Sequence, residues 1–299
     1  MSAIEELQSA VATIAERVGP SIVGIGRDTR GSGVVIAPGK VLTNAHNLRG
    51  DEVTVTFADG RRLIGKVAGY DGDGDLTVID VDTAGAAAVE WGDGSSLAVG
   101  AAVFGAGASH GGGTRVTFGL VSAIARAFRG PGGRRIEGSV EHTAPLAPGS
   151  SGGALLDADG RLVGINTNRI GEGFYLALPA DAAIRDRIDS LGRGESPKRQ
   201  RLGVAVAPSY VAQRMRRSVG LPERDGVLVR GVEDGSPAAA AGIEAGDLIV
   251  EAGGRPVTDA DELFAALGAV EFPFEVKLVR GTDERTVQVG GGTTASGEA

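Results

Sequence analysis

The sequence predicts a mainly β protein in two parts: a larger strand-rich part, built as a sandwich or a pair of barrels, and a smaller α+β part behind it. The 299 residues are 42% hydrophobic, enough for two cores of ordinary domain size. Short apolar runs recur with turn signals between them, and 50 glycines against 4% aromatic residues supply the positive φ that tight turns need. Residues 192–200, Gly-Arg-Gly-Glu-Ser-Pro-Lys-Arg-Gln, are polar and without period, which marks a linker.

In residues 1–18, Ile4, Leu7, Val11, Ile14 and Val18 recur at three- and four-residue steps, predicting an amphipathic helix that Gly19-Pro20 ends. The first domain spans 19–191. Strands are expected at 21–25, 33–36, 40–43 and 52–57, the last followed by an Ala58-Asp59-Gly60 hairpin turn. Further strands are expected at 76–81, 101–106, 116–124, 136–142, 162–167 and 174–178, and a helix at 180–191 closes the domain. The second domain, 201–290, has strand patterns at 226–230, 247–251, 274–280 and 285–289 and helical ones near 210–219 and 259–267. Residues 291–299 read as a flexible tail.

Composition excludes several classes of function. With no cysteine there are no disulfides, no thiolate metal site and no cysteine nucleophile. A net charge of −8 argues against a nucleic-acid partner. Three histidines and scattered acids show no ligand spacing, so neither a metal nor a cofactor is expected. No run of about 18 apolar residues occurs, and Met1-Ser2-Ala3-Ile4-Glu5-Glu6 is no export signal. Taken as written, the chain is expected in the cytoplasm; an N-terminus trimmed of its signal would place it in the periplasm or outside the cell.

The chemistry is read from Pro148-Gly149-Ser150-Ser151-Gly152-Gly153. A serine among these glycines suits a nucleophile on a tight turn, with the Gly149 and Ser151 amides aimed at a developing oxyanion. A serine hydroxyl needs a base. His46 follows the strand Leu42-Thr43-Asn44, and Asp75 heads the apolar strand Leu76–Ile79. His46 is therefore expected to take the Ser151 proton while Asp75 fixes its tautomer. The two glycines that follow favour Ser151 over Ser150. His110, in a loop of small residues, is expected to be a solvated bystander, and His142 a structural or pocket-lining group.

These motifs, together with Gly31-Ser32-Gly33-Val34-Val35-Ile36 and Gly160-Arg161-Leu162-Val163-Gly164-Ile165-Asn166-Thr167, resemble the HtrA (DegP-like) family over roughly residues 10–290. The resemblance implies a trypsin-like double β-barrel with its triad in the order His, Asp, Ser, followed by a PDZ domain. It implies an endopeptidase acting on unfolded or damaged polypeptides, with a proteolytically weak or inactive chaperone or peptide-binding scaffold as the alternative. Leu146, Ile165, Asn166 and Thr167 would line the substrate site, with an apolar, shallow pocket for small aliphatic residues. Ser236–Ile249 resembles the bacterial PDZ signature. Leu202, Gly203 and Val204 would then hold a polypeptide C-terminus, with Leu263, Phe264 and Leu267 walling its side-chain pocket. Arg129, Arg134 or Arg135 would relay PDZ occupancy to the active site. The family's trimers imply a homotrimer, although residues 1–30 hold no aromatic residue; Ile4, Leu7 and Val11 either replace them or pack the helix on the barrel. Three departures stand out: His46-Asn47-Leu48 in place of His-Val-Val, Ser150 and Ala154 in place of the Asn and Pro around the nucleophile, and His142-Thr143 where an acid is usual.

Overall fold

Ser2 caps the first helix, α1 (Ala3–Val18): its hydroxyl accepts from the Glu5 amide while the Glu5 carboxylate accepts from the Ser2 amide. Only the second half of α1 is packed. Ile14 and Val18 are buried, whereas Ile4 is 77% exposed. The computed structural model describes residues 2–110, 112–130, 135–197 and 201–290. The chain forms two compact units, residues 1–197 and 198–299.

Two closed antiparallel barrels make the first unit. β1 (Ile22–Ile25), β2 (Gly31–Ala37), β3 (Lys40–Thr43), β4 (Glu52–Thr56), β5 (Arg62–Asp71) and β6 (Leu76–Asp80) close in the order β1-β2-β3-β6-β5-β4. β7 (Ala102–Ala108), β8 (Thr114–Arg129), β9 (Arg135–His142), β10 (Ala154–Leu156), β11 (Leu162–Ile170) and β12 (Phe174–Pro179) close in the order β10-β11-β12-β9-β8-β7. Val23, Ile25, Val35, Val41, Val55, Phe57 and Ile79 fill the first barrel; Val103, Val121, Val140, Leu155, Val163 and Ala177 fill the second.

The barrels share apolar residues on two sides of the cleft. Ile14 and Val18 of α1 pack with Val34 of the first barrel and Phe104 and Leu156 of the second. Leu42, Leu76 and Val78 meet Ile165 and Leu178, joined by Ile188 and Leu191 of α2 (Ala182–Gly192). This burial holds both barrels in register, so side chains at their facing rims are fixed relative to one another. The polar stretch after α2, expected as linker, is partly fastened to the first barrel: the Tyr70 amide donates to the Ser196 hydroxyl at 2.9 Å. Residues 198–200 of that linker and the 291–299 tail lie outside the described residues, as does Arg134.

The second unit is built on a sheet in the order β13 (Val204–Ala207), β14 (Val227–Val232), β15 (Leu248–Ala252), β17 (Phe274–Arg280), β18 (Asp283–Val289), with β16 (Arg255–Pro256) paired to β15. Its helices are α3 (Ser209–Ser218), α4 (Pro237–Ala240) and α5 (Ala260–Gly268). Leu263 and Leu267 of α5 are 3% and 7% exposed, inside a core with Leu202, Val229, Phe274 and Leu278. This corrects their expected place as walls of an open peptide pocket: the stripe anchors α5 to the sheet.

Candidate active site

The first-barrel rim carries Asp75 and His46, the expected acid and base. Asp71, at the end of β5, accepts from the Asp73 and Gly74 amides at 3.1 and 2.9 Å and pairs with Arg187 at 3.2 Å, shaping the turn that delivers Asp75 with φ of 56°. Positive φ is uncommon outside glycine, and it is held here by local over-determination. The Asp75 carboxylate is fully buried. It accepts from the His46 amide at 3.1 Å, from His46 Nδ1 at 2.8 Å and from the Thr167 hydroxyl at 2.8 Å. A carboxylate cannot donate, so Nδ1 carries a proton, and in the neutral ring the lone pair is then on Nε2.

The second-barrel rim carries Ser151. Its hydroxyl donates to the Thr167 carbonyl at 2.8 Å, and no hydrogen bond joins it to His46. Thr167 therefore serves both halves, its hydroxyl on the acid and its carbonyl on the serine. Gly149 (φ 87°) and Gly152 (φ 85°) occupy backbone regions that a side chain would strain. Among the described residues neither the Gly149 nor the Ser151 amide donates to any group, which leaves two donors unspent beside the hydroxyl. Ser150 is 7% exposed, and its hydroxyl lies against Gly107, where an added Cβ would come within 2.9 Å of it.

Three residues absent from the sequence-based candidates tie the two rims together. The fully buried Ser32 hydroxyl donates to the Gly149 carbonyl at 2.7 Å and accepts from the Ala108 amide at 2.9 Å. The Ser151 carbonyl takes the Ser32 amide at 2.8 Å and Asn47 Nδ2 at 2.9 Å. Asn47 Nδ2 also donates to the Thr43 hydroxyl, which itself donates to the Ser32 carbonyl at 2.6 Å. Asn47 fits because Gly31 stands against it; a Cβ on Gly31 would overlap its side chain. The one signal in the sequence was Asn47 itself, a polar residue where the resembled family has an apolar one.

Beside Ser151 lies a cavity of about 150 Å³ lined by Leu146, Asn166, Thr167, Arg169 and Tyr175 among others. Ile165 does not line it. Strand alternation turns Ile165 the other way, fully buried in the inter-barrel cluster, and this corrects its expected place at the substrate site. Behind the cavity His142 is fully buried and stacks on Tyr175 at 5.8 Å, and its Nε2 meets Asn166 Oδ1 at 3.1 Å. Asn166 Nδ2 is spent on the Ala154 carbonyl at 2.7 Å, so Oδ1 is the acceptor and His142 Nε2 bears the proton. Burial pushes the imidazole down to about 4, against the opposing hydrogen bond from Asn166, so it stands neutral with an unpartnered Nδ1. His110 is exposed. Among the described residues no cluster of acids and histidines could hold a metal.

In the second unit Gly203 has φ of 77°, with Ser236 where a Cβ would point. Its amide donates to no group among the described residues, and β13 pairs with β14 on one side only.

Two closed barrels with these side chains at their shared cleft define a trypsin-like peptidase domain, and residues 31–165 match the trypsin-like peptidase domain family. Residues 228–280 match the PDZ domain family. The chain is 34% identical over 272 residues to a probable periplasmic serine endoprotease DegP-like of Halomonas elongata, covering 88% of this chain and 56% of that protein. It is 36% identical over 250 residues to the putative serine protease HhoA of Synechocystis, covering 78% and 62%. It thus spans somewhat over half the length of these curated relatives. The HtrA-type protease AlgW, solved with a decapeptide, superposes with a TM-score of 0.69 at 25% identity, covering 94% of this chain and 97% of that one. The chain belongs with the HtrA, DegP-like proteins: one trypsin-like peptidase domain followed by one PDZ domain. No helix among the described residues is long and apolar enough to cross a membrane.

Proposed function

We propose that this chain is a serine endopeptidase. The observation that carries the reading is the buried Asp75 bonded to His46 Nδ1 at 2.8 Å, opposite a serine flanked by two unspent amides. Ser151 swings from the Thr167 carbonyl to His46 Nε2, which takes its proton as the hydroxyl attacks the peptide carbonyl. The oxyanion is met by the Gly149 and Ser151 amides. His46 returns the proton to the leaving amine, and water then enters by the same route to free the acyl-enzyme.

The substrates are unfolded or damaged polypeptides. A cavity of about 150 Å³ beside Leu146 and Tyr175, with no acid in its lining, suits small aliphatic side chains, and Arg169 at its rim disfavours lysine and arginine. The PDZ unit binds polypeptide C-termini, the carboxylate on the amides of the Leu202-Gly203-Val204 loop and the chain added to the free edge of β13. Ile4 and Leu7, exposed on α1, are available to the homotrimer that the family resemblance implies, and the mass in solution tests this.

One observation favours the second reading, a proteolytically weak chaperone or peptide-binding scaffold: the Ser151 hydroxyl is committed to Thr167, a resting arrangement. Incubation with unfolded β-casein alongside Ser151→Ala separates the two. Cleavage that disappears in Ser151→Ala, with fluorophosphonate labelling that follows it, supports the peptidase. Suppressed aggregation with no cleavage and no labelling in either protein supports the scaffold.

A further inference from the structure

Arg216, near the end of α3, is a buried cation without a counter-ion. It is 4% exposed, and its Nε donates to the Pro222 carbonyl at 3.0 Å. Among the described residues it meets no carboxylate, and its two terminal nitrogens have no hydrogen-bond partner. Neighbouring arginines are provided for differently. Arg217 pairs with Glu223 at 2.5 Å, Arg224 with Glu284 at 2.5 Å, and Arg280 with Asp247 at 2.7 Å. Arg216 stands in the last turn of α3, where the helix carbonyls favour a cation, and it lines a cavity with donors that no protein group among the described residues uses, so an anion entering there meets free N–H groups.

Arg216 lines a cavity of about 370 Å³, with Met215, Val219, Leu221, Leu228 and Arg230 among its other walls. Arg230 is exposed, touches Met215 Sδ at 3.8 Å and has no carboxylate partner among the described residues. Val219 and Met215 are 70% and 42% exposed, apolar surface left open beside two cations. The cavity lies away from the predicted peptide site, since neither the Leu202–Val204 loop nor α5 contributes to its lining. Its strand, β14, is paired on both sides, with β13 and β15, so an extended peptide cannot add to it as a further strand. A concave, largely apolar surface with a few convergent charges is the usual form of a small-molecule site.

We propose that this cavity binds an aliphatic carboxylate: the acid group answers Arg216 and Arg230, and the hydrocarbon chain covers Val219, Leu221 and Leu228. The inference rests on the second unit alone and stands whether or not Ser151 cleaves peptides.

The test is a calorimetric titration of the full chain with decanoate, against 1-decanol and decylamine, with amide shifts mapped by NMR. Decanoate is expected to saturate with shifts at Val219, Leu228 and Arg230, 1-decanol to bind roughly tenfold more weakly, and decylamine not to bind. Arg230→Ala, at an exposed position, is expected to weaken decanoate about tenfold. Arg216→Met should weaken it as well, because it removes one of the two cations facing the acid group while nearly keeping the volume. The proposal is overturned by an absence of saturable decanoate binding, by equal affinity for 1-decanol, by shifts confined to β13 and α5, or by both variants binding decanoate as the parent does.

Discussion

On the first-barrel face of the cleft, Asp75 is fully buried and gathers the His46 amide, the His46 ring and the Thr167 hydroxyl within 3.1 Å. On the second-barrel face, the Ser151 hydroxyl rests on a backbone carbonyl and the amides beside it donate to nothing among the described residues. Asp75 and His46 are thus brought together within one barrel, whereas the Ser151 turn is held in register from across the cleft by Ser32 and Asn47, and its hydroxyl, resting on Thr167 of its own barrel, still has a rotation to make. The difference teaches where each kind of substitution acts. Changes at Asp75 strike chemistry directly, and changes at the crossing contacts strike the placement of the nucleophile turn.

The sharpest way to break the comparison is Asp75→Asn. An amide side chain tolerates the positive φ and fills the same space, yet its NH2 faces the His46 ring or amide, so the Nδ1–H tautomer loses its reason. Casein cleavage is expected to fall by about 10⁴-fold with the fold retained. A loss smaller than tenfold would show that the first-barrel pair does not set the base.

His142 gives the next largest effect, on stability. Its folded-state pKa, about 4, lies below the ordinary 6.5, so the unfolded chain takes up a proton in this range and the folded chain does not. Stability is therefore whole above about pH 6.5 and is lost as pH falls toward 4, by at most about 3 kcal/mol from this group. Urea melts across pH 4–7 should show the loss. His142→Gln, whose amide can still donate to Asn166, should flatten it, and an unchanged slope would place the acid sensitivity elsewhere.

That His46, Asp75 and Ser151 would be the candidates was legible because few groups compete: three histidines in 299 residues, and two glycines after the serine. The supporting contacts were not legible, because Ser32 and Thr43 are small polar residues whose use depends on what the other barrel brings to them. Ile165 and Asn166 show the same limit. Adjacent in one motif, they part to opposite faces of β11, and only the register says which faces the cavity. β5 was missed because its pattern is carried by absences. Gly65 and Gly69 stand where a Cβ would overlap Ile79 and the Leu191 backbone, while Ile64 is 62% exposed, so the strand shows no clean apolar alternation. α5 erred the other way: its apolar stripe is genuine, but Leu263 and Leu267 spend it on the core.

Ser32→Ala tests the crossing contacts. It strands the buried Gly149 carbonyl and Ala108 amide together, at a cost of about 1–3 kcal/mol in unfolding free energy. Acylation by a fluorophosphonate should slow as well, because the 149–150 peptide loses the donor that orients it. Equal labelling rates in the variant and parent would free the nucleophile turn from the first barrel.

The smallest expected effect discriminates most finely, because Thr167 touches both faces at once. Thr167→Val deletes the hydroxyl on Asp75 and leaves the carbonyl on Ser151 in place. Asp75 keeps its two bonds to His46, so the acid stays buried and oriented but loses one of its donors. One hydrogen bond to a charged group is worth about 1.5–3 kcal/mol, part of it spent equally on ground and transition states. Turnover is then expected to fall about tenfold with KM unchanged, and Thr167→Ser, which keeps the hydroxyl, to restore it. A rise in KM without a fall in kcat would instead assign Thr167 to the substrate wall it also forms, and Thr167→Ser would then fail as a rescue where the missing methyl matters.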